Sequence, residues 1–271
     1  MSLTKIEWAE QVWNPSTGCH RVSPGCRVCY MMTEVDNRLQ HRVPGKYAHG
    51  TEVVLHPRTL DDMKAVTTPS KVFVNSMSDA FHEAVPDEYV FEMFEAMAEA
   101  PWHSYMVLTK RAERLARLGP SLPWADHVMM GVTVDNRDSV YRLDRLRASG
   151  ATRTFVSFEP LLGSVLDADG EVDLSGIDLA IVGGESSKYT PGEADATPME
   201  ADWAREIRDA CVAQSVALHF KQWGAHDADG ELVGTKRAGR VLDGRTHDAE
   251  PSWFPEFMRE AGLRAAAHRA S

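Results

Sequence analysis

The 271-residue sequence contains only four cysteines, too few for a disulfide-stabilised scaffold of this length. It has no apolar run of the ~18 residues that span a bilayer. Its first fifteen residues contain no apolar segment of a signal peptide. Linkers rich in Gly, Pro or Ser and low-complexity stretches are also missing. The sequence therefore predicts one cytoplasmic domain over residues 1–271, with no membrane association.

Positive charge is also scarce, because 29 Lys and Arg face 40 Asp and Glu, for a net charge of −11. This balance argues against a general duplex-DNA binder that works by neutralising phosphates. Two local clusters are exceptions: Lys110, Arg111, Arg114 and Arg117, and Lys236, Arg237, Arg240 and Arg245. Each cluster is either a solvated face or a contact surface for nucleic acid.

Six short apolar or β-branched runs have the continuous pattern of buried parallel strands. They lie at residues 71–76, 104–109, 127–134, 153–158, 179–184 and 216–220, with a weaker candidate at 11–16. Helical patterns alternate with them at 86–100, 110–118, 135–149 and 200–215. The order predicts an α/β protein with a parallel sheet, either a barrel or a doubly wound sheet. In the last helical pattern Trp203, Ile207 and Cys211 share one face, so we expect Cys211 to be a core thiol.

Polar residues follow every predicted strand. In chain order they are Asn75, Ser76, Ser78 and Asp79; Thr109, Lys110 and Arg111; Thr133, Asp135 and Asn136; Glu159; Gly183, Gly184 and Glu185; and Lys221 and Gln222. Strand ends are often polar because they reach solvent. However, the carboxyl ends of parallel strands share one edge, so we predict that these residues line one pocket. The paired glycines would let backbone N–H groups approach a carboxylate or phosphate closely.

Three of the four cysteines lie within eleven residues, as Cys19-x6-Cys26-x2-Cys29. The Ser-Pro-Gly turn at 23–25 lets the first thiol fold back over the other two. A structural zinc site needs a fourth ligand, for which His41 and His49 are candidates, whereas His20 adjoins Cys19 and is poorly placed to bind the same ion. A 4Fe–4S cluster held by three cysteines leaves one iron open for a substrate or cofactor. Both metal sites are compatible with the spacing.

The chain resembles a phage-associated, three-cysteine-motif family of uncharacterised proteins that are radical S-adenosylmethionine (radical SAM)-like. The resemblance is carried by "IEWAEQVWNPSTGC", "SPGCRVCY", "VFVNSMSDAFHEAVP", "LTKRAERL", "SFEPLLG", "IVGGES", "HFKQWG" and "GRVLDGRTHD", which run from Ile6 to Asp248. Two features depart from the common superfamily pattern: six residues rather than three separate the first two cysteines, and Val28 replaces the aromatic residue before the third. The superfamily's Gly-Gly-Glu follows its second strand, whereas Gly183-Gly184-Glu185 follows a late one.

The resemblance implies an incomplete, mostly parallel (βα)6-type TIM-like barrel. The pattern of residues 224–252 predicts irregular structure, so we expect residues 224–271 to form an irregular C-terminal extension. It implies a 4Fe–4S cluster on Cys19, Cys26 and Cys29, and cleavage of S-adenosylmethionine to a 5′-deoxyadenosyl radical. An external electron donor would be needed, and the substrate would be a modified nucleobase, nucleotide or nucleic acid. Together with the strand-end pattern, it makes Lys110, Glu159 and Lys221 the candidate catalytic residues. The candidate cofactor-binding residues are Asn75, Ser76, Ser78, Asp79, Thr109, Gly183, Gly184 and Glu185. The alternative is a zinc protein that processes or binds nucleic acid without radical chemistry.

Overall fold

The short β-branched and apolar runs form the strands of one large sheet. The structure is a computed structural model, and it describes residues 2–186 and 196–270, apart from the side chains of Asp36 and Asn37. Its strands are β1 (Ser2–Leu3), β2 (Gln11–Trp13), β3 (Ser16–Thr17), β4 (Val54–Leu55), β5 (Lys71–Val74), β6 (Ser104–Thr109), β7 (Val128–Thr133), β8 (Arg153–Phe158), β9 (Leu179–Gly183) and β10 (Ala217–Gln222). β3 and β4 form a separate antiparallel pair, and the other eight form the sheet in the order β1-β2-β5-β6-β7-β8-β9-β10.

Seven strands of this sheet, β2 and β5 to β10, run parallel, and β1 is antiparallel to β2. Each strand is added on the same side of the one before it, without the reversal of a doubly wound sheet. All six predicted strands are confirmed. The weak seventh candidate is confirmed as β2, so the parallel strands number seven rather than six. The α/β class with a mostly parallel sheet is therefore confirmed.

The sheet is open, and closure into a barrel stays a prediction. β1 and β10 are its two edges, and no pairing joins them within the described residues. The β10 edge is covered by the chain at 247–249. The Phe220 amide donates to the His247 carbonyl at 2.9 Å, and the Ala249 amide donates to Leu218 at 3.0 Å. Backbone groups of this edge strand are thereby paired with protein rather than left exposed.

The helices are α1 (Tyr30–Glu34), α2 (Gln40–Arg42), α3 (Pro44–Tyr47), α4 (Asp62–Ala65), α5 (Asp87–Ala98), α6 (Ala112–Leu118), α7 (Arg142–Arg147), α8 (Ala201–Gln214), α9 (Thr235–Ala238) and α10 (Phe254–Ala270). The four predicted helical segments match α5 to α8, although the third begins with a 3-10 turn at Arg137–Ser139. Residues 224–252 are largely irregular, as expected, apart from α9. The long helix α10 was not predicted. The described residues contain no helix both long and apolar enough to cross a membrane.

The two faces of the sheet are buried differently. Because right-handed crossovers follow one another in a constant direction, the connecting helices cover one face. The large core lies there, and it includes Cys211, whose side chain is fully buried. Burial raises the pKa of this thiol to about 12, so the prediction of a core cysteine is confirmed. The other face carries a smaller cluster built on Phe73, Met106, Met129 and Phe155, and Trp8 packs over it.

Candidate functional site

The second face of the sheet changes from apolar to polar along the strands. Side chains alternate between faces, so residues two apart share a face. From Met106 in the small cluster, two such steps along β6 lead to Lys110. The corresponding steps lead from Met129 to Thr133 and from Phe155 to Glu159. The same alternation places Glu185 and Lys221 at the polar end. This face of the sheet is thus apolar along the strands and polar at their carboxyl ends.

Contacts among the polar side chains at these carboxyl ends agree with their placement on one face. Lys221 forms an ion pair with Glu159, and both side chains are mostly buried. The Lys110 ammonium donates to the Thr133 hydroxyl at 3.3 Å. Gly183 leaves space for the acid, because a Cβ there would lie 3.3 Å from the Glu159 carboxyl carbon. Lys110, Glu159 and Lys221, predicted as catalytic residues, therefore lie on one side of the sheet at one edge.

The turn after β5 supports the loop that leads to the cysteines. Asn75 has a φ of 57°, which ends the strand, and its side-chain oxygen accepts the Ser16 amide at 3.3 Å. The Ser78 hydroxyl donates to the Gly18 carbonyl at 2.8 Å. The Ser76 hydroxyl donates to the Asn14 side chain at 3.3 Å. These residues hold the loop by hydrogen bonds within the protein.

Asp79 is a buried junction between two strand ends. One carboxylate oxygen accepts the Phe81 amide at 2.9 Å and the Thr109 hydroxyl at 2.7 Å. The other accepts the Lys110 amide at 3.1 Å and the Arg111 guanidinium at 3.0 Å. Four donors satisfy this carboxylate fully, so its buried charge is compensated. Asp79 and Thr109 are predicted cofactor-binding residues, but their polar atoms are taken up by the protein.

The three-cysteine loop, residues 18–29, lies across the carboxyl edge of the sheet. Its start is fixed at Gly18, which has a φ of 88° and packs so tightly that a Cβ would lie 1.9 Å from the Glu52 carbonyl oxygen. The Cys19 amide donates to the Thr51 carbonyl at 2.9 Å. At the other end of the loop, the Tyr30 hydroxyl donates to the Ser76 carbonyl. These contacts join the loop to β4 and to the end of β5.

The middle of the loop docks on the ends of β7 and β8. The Gly25 amide donates to the Asp135 carboxylate at 2.9 Å. A Cβ on Gly25 would lie 2.7 Å from that same carboxylate oxygen and 3.1 Å from the Pro160 ring. The Ser-Pro-Gly turn therefore needs glycine for its close approach to the sheet, and not only for its bend. Asp135 is fully buried. Burial would raise its pKa, but hydrogen bonding, which includes the bond from the Gly25 amide, and the charge of Arg142 outweigh that effect and lower it.

The residue after Cys26 fastens the loop to the end of β9. The Arg27 guanidinium donates to the Glu185 carboxylate at 2.8 Å, and the Thr197 amide donates to the same oxygen at 2.7 Å. Among residues 2–186 and 196–270, the other oxygen of this carboxylate is buried and has no hydrogen-bond partner. Gly184 brings the backbone of β9 against that of Trp223, since a Cβ would lie 1.9 Å from its carbonyl oxygen. This close packing of two backbones explains why position 184 needs a glycine.

The three thiols are free, and two of them, Cys19 and Cys26, lie near cationic side chains. Arg111 donates to the Cys19 sulfur at 3.5 Å. Burial, followed by the charge of Asp79, raises the pKa of Cys19 to about 11. Burial would raise the pKa of Cys26 as well, but the Lys110 charge and hydrogen bonds from Val22 and Ser23 lower it. Cys19 and Cys29 pack against one apolar cluster, which includes Met32.

This donor set fits an iron–sulfur cluster in its chemistry: three thiols on one loop, with the Lys110 charge near Cys26 and an Arg111 hydrogen bond to Cys19. No group of three His, Cys, Asp or Glu side chains arranged to hold a metal ion is found among residues 2–186 and 196–270. The fit therefore rests on the type, number and surroundings of the donors. His20, which the sequence places poorly for zinc, faces His82, with 3.0 Å between the ring nitrogens.

The strand-end pattern predicts the polar residues of the sheet edge, but it does not predict three residues that attach the cysteine loop to this edge. Gly25, Arg27 and Tyr30 are the loop's own anchors, and the sequence gives only an indirect signal for them. Their types are informative, since a glycine after proline, an arginine and a tyrosine flank the cysteines closely. Their partners lie 46 to 158 residues away along the chain, which no local pattern encodes.

The fold and the loop together define an α/β protein with a three-cysteine loop across the carboxyl edge of a mostly parallel sheet. Residues 3–251 match the family model described as "Protein of unknown function (DUF5131)", and the chain belongs to this family. No curated protein matches the chain.

Two solved structures with which the chain shares a distant likeness are of one enzyme. One is described as spore photoproduct lyase complexed with dinucleoside spore photoproduct, with a TM-score of 0.41 and 11% identity over 92% of this chain and 71% of that chain. The other is a mutant of that lyase with the same dinucleoside, with a TM-score of 0.40 and 12% identity over the same shares. Similarity at this level assigns neither an activity nor a ligand to this chain.

Proposed function

We propose that this protein is a radical-SAM-like enzyme whose 4Fe–4S cluster is held by Cys19, Cys26 and Cys29. The observation that supports this proposal is the position of the three-cysteine loop over the polar carboxyl edge of the sheet. Parallel α/β proteins hold their ligands at this edge, because the loops after all strands meet there. A cofactor bound to the loop would face Lys110, Glu159 and Lys221.

The cluster, when bound, supplies the electron that cleaves S-adenosylmethionine to methionine and a 5′-deoxyadenosyl radical. The protein's own part is to bind, orient and exclude water. Lys110 and Lys221 offer cationic donors to an anionic ligand group, and Glu159 holds Lys221 in place. The unpartnered buried oxygen of Glu185 is an acceptor for a hydroxyl or amino group of a ligand. An external electron donor is required.

The remaining predicted cofactor-binding residues act through the shape of the edge. Asn75, Ser76 and Ser78 hold the loop at its entry, and Asp79 and Thr109 fix the turn that carries Lys110. We propose that they position the cofactor site without using their side chains as ligands. The substrate is a modified nucleobase, nucleotide or nucleic acid, as the family resemblance implies. One domain over residues 1–271, with 224–271 as its extension, is part of the same proposal.

Anaerobic purification followed by iron, sulfide and zinc analysis is the first test. We expect about four irons per chain in the wild type, and loss of iron in Cys26→Ala. Cys211→Ala is the matched control, because this cysteine lies in the core away from the loop. Reduced, iron-loaded wild type should convert S-adenosylmethionine to 5′-deoxyadenosine, and Cys26→Ala should not. Stoichiometric zinc without iron, or an iron-loaded protein that forms no 5′-deoxyadenosine, would overturn the proposal.

A further inference from the structure

The segment that carries the cysteines is the basic part of an acidic protein. This cysteine segment, residues 18–58, contains six Lys and Arg but three Asp and Glu, whereas the whole chain has a net charge of −11. The cations are Arg21, Arg27, Arg38, Arg42, Lys46 and Arg58, and the acids are Glu34, Asp36 and Glu52. Charge of opposite sign is therefore separated along this chain, and the positive part adjoins the candidate cofactor loop.

Cations elsewhere are mostly neutralised within the protein. In the first basic cluster of the sequence, Arg114 and Arg117 both pair with Asp87, and Arg111 pairs with Asp79. That cluster supports structure and offers little free charge. In contrast, Arg42, Lys46 and Arg58 are exposed, and none has an ion-pair partner within the described part of the chain. We refer to these three residues as the basic patch.

Thr17 brings together two of the chain segments that carry the patch. The Thr17 hydroxyl donates to the Lys46 carbonyl at 3.2 Å and lies 2.9 Å from a ring nitrogen of His56. Burial and the nearby Lys46 ammonium lower the pKa of His56, which agrees with this proximity. Arg58 follows His56 by two residues, and Arg42 precedes Lys46 by four, at the end of α2. Thr17 also lies one residue from Gly18, where the cysteine loop starts.

Apolar side chains are exposed in the same segment. Val22 and Tyr30 within or next to the loop, and Val43 beside the patch, expose 45%, 46% and 40% of their surface. Tyr30 presents an aromatic ring directly after Cys29. Exposed rings combined with free cations are typical of surfaces that bind single-stranded nucleic acid, where bases stack and phosphates pair with Lys and Arg.

We infer that the basic patch binds the phosphates of a single-stranded nucleic acid and delivers one of its nucleotides to the cysteine loop. A broad anionic surface, such as a duplex or a membrane, would be repelled by the acidic remainder of the protein. A single strand is narrow enough to meet the patch alone. This inference rests on the proposed function only in naming the strand as the substrate. Binding itself needs neither the cluster nor S-adenosylmethionine.

The test is fluorescence anisotropy with a labelled single-stranded oligonucleotide of about 12 residues, on metal-free and iron-loaded protein. A triple variant, Arg42→Gln, Lys46→Gln and Arg58→Gln, removes the patch. Each phosphate contact on a single strand contributes about 0.7 to the slope of log affinity against log salt. We therefore expect the variant to bind at least about tenfold more weakly and its slope to decrease by about 2.

The matched control is Lys236→Gln, Arg237→Gln and Arg245→Gln, which changes the net charge equally on another exposed surface. It should bind like the wild type. The inference is overturned if the wild type does not bind, if both triple variants weaken binding equally, or if a mononucleotide competes as well as the strand. Binding of anionic vesicles in place of the strand, lost with the patch, would also overturn it. Failure to form 5′-deoxyadenosine would leave these binding results unchanged, so the two proposals fail separately.

Discussion

The sheet framework and the cysteine segment are held in place by different forces. The framework, strands β5 to β10 with α5 to α8, is built on a large core of fully buried side chains such as Phe94, Tyr105 and Phe158. The cysteine segment, residues 18–58, is built on a small cluster that includes Met31, Met32 and Tyr47, although Val53 and Leu55 pack against the large core. Burial of apolar area stabilises the framework without requiring any single contact.

The cysteine segment is instead positioned by a few polar contacts and close glycine approaches. Gly25 to Asp135, Arg27 to Glu185 and Gly18 to the Glu52 backbone are examples. Each depends on one atom or on the absence of one Cβ. Stability and site geometry therefore depend largely on different residues in this chain, and a substitution can alter one more than the other.

The largest effect is expected at Asp79, where the framework and the segment meet. Asp79→Ala leaves Arg111 buried with only the exposed Glu83 to pair it. Breaking a buried pair by removing one partner destabilises a protein by about 3–5 kcal/mol. We expect a loss of this size in the free energy of unfolding, measured with urea. Asp138→Ala is the control, because Asp138 is exposed and should change stability by less than about 0.5 kcal/mol. Equal stability of the two variants would show that the junction is not structural.

A smaller effect is expected at the framework's edge strand when the pH falls. Burial, with the charge of Arg240, lowers the pKa of His219 from 6.5 to about 4. Between pH 6.5 and 4, His219 is protonated in the unfolded chain but neutral in the folded chain. The stability that is present above pH 6.5 is therefore lost as the pH falls from 6.5 towards 4. The shift corresponds to at most about 3 kcal/mol.

Urea unfolding of the wild type and His219→Gln across this pH range measures that contribution. The variant should lose less stability between the two ends of the range, whatever its absolute stability. Replacement of the exposed His49 by glutamine should leave the wild-type pH dependence unchanged. Parallel curves for the wild type and His219→Gln would mean that this histidine does not contribute to the acid sensitivity.

The smallest effect on stability is expected within the cysteine segment. Gly18→Ala meets both a positive φ and a Cβ position 1.9 Å from the Glu52 carbonyl oxygen. Overpacking of this kind costs typically about 1–3 kcal/mol, which we expect as a local displacement of the loop. Iron uptake should fall sharply while the circular dichroism of the sheet is retained.

Gly50→Ala separates the two causes of that effect. Gly50 also has a positive φ, of 64°, but a Cβ there meets no atom within 4 Å. This variant carries only the backbone strain, of order 1 kcal/mol or more, and should still take up iron. If Gly18→Ala takes up iron as well as Gly50→Ala, the tight contact does not position the loop.

Much of the framework was predictable because its signals are local. Continuous runs such as 104–109 and 153–158 are too short for typical buried helices and favour buried strands, and the helices between them show their own periodicity. The weak strand at 11–16 was harder, because β2 has only three residues and is defined by its pairing with β5. The helix α10 was not predicted, because it follows a long irregular segment and the sequence does not indicate which part of the protein it packs against.

The site was predicted only in part, and for a physical reason. Strand ends named Lys110, Glu159, Glu185 and Lys221 correctly as edge residues, since a period of two carries them to one face. The strand-end pattern could not separate edge residues whose polar atoms remain available from Asp79, whose carboxylate oxygens are all hydrogen-bonded within the protein. Whether a side chain serves a ligand or its own protein depends on partners far away in the sequence.

The docking of the cysteine loop also bears on the order in which the protein folds. Gly25 bonds to a residue 110 positions later, and Arg27 to one 158 positions later. Contacts between residues so distant in sequence form late, because closing a long loop loses chain entropy before any contact compensates for it. Their acceptors, Asp135 and Glu185, stand at the ends of β7 and β9, so these strands must pair before the loop has a surface to meet. The loop is thus synthesised before the strands that hold it but placed after them, and its thiols stay accessible until those strands have paired.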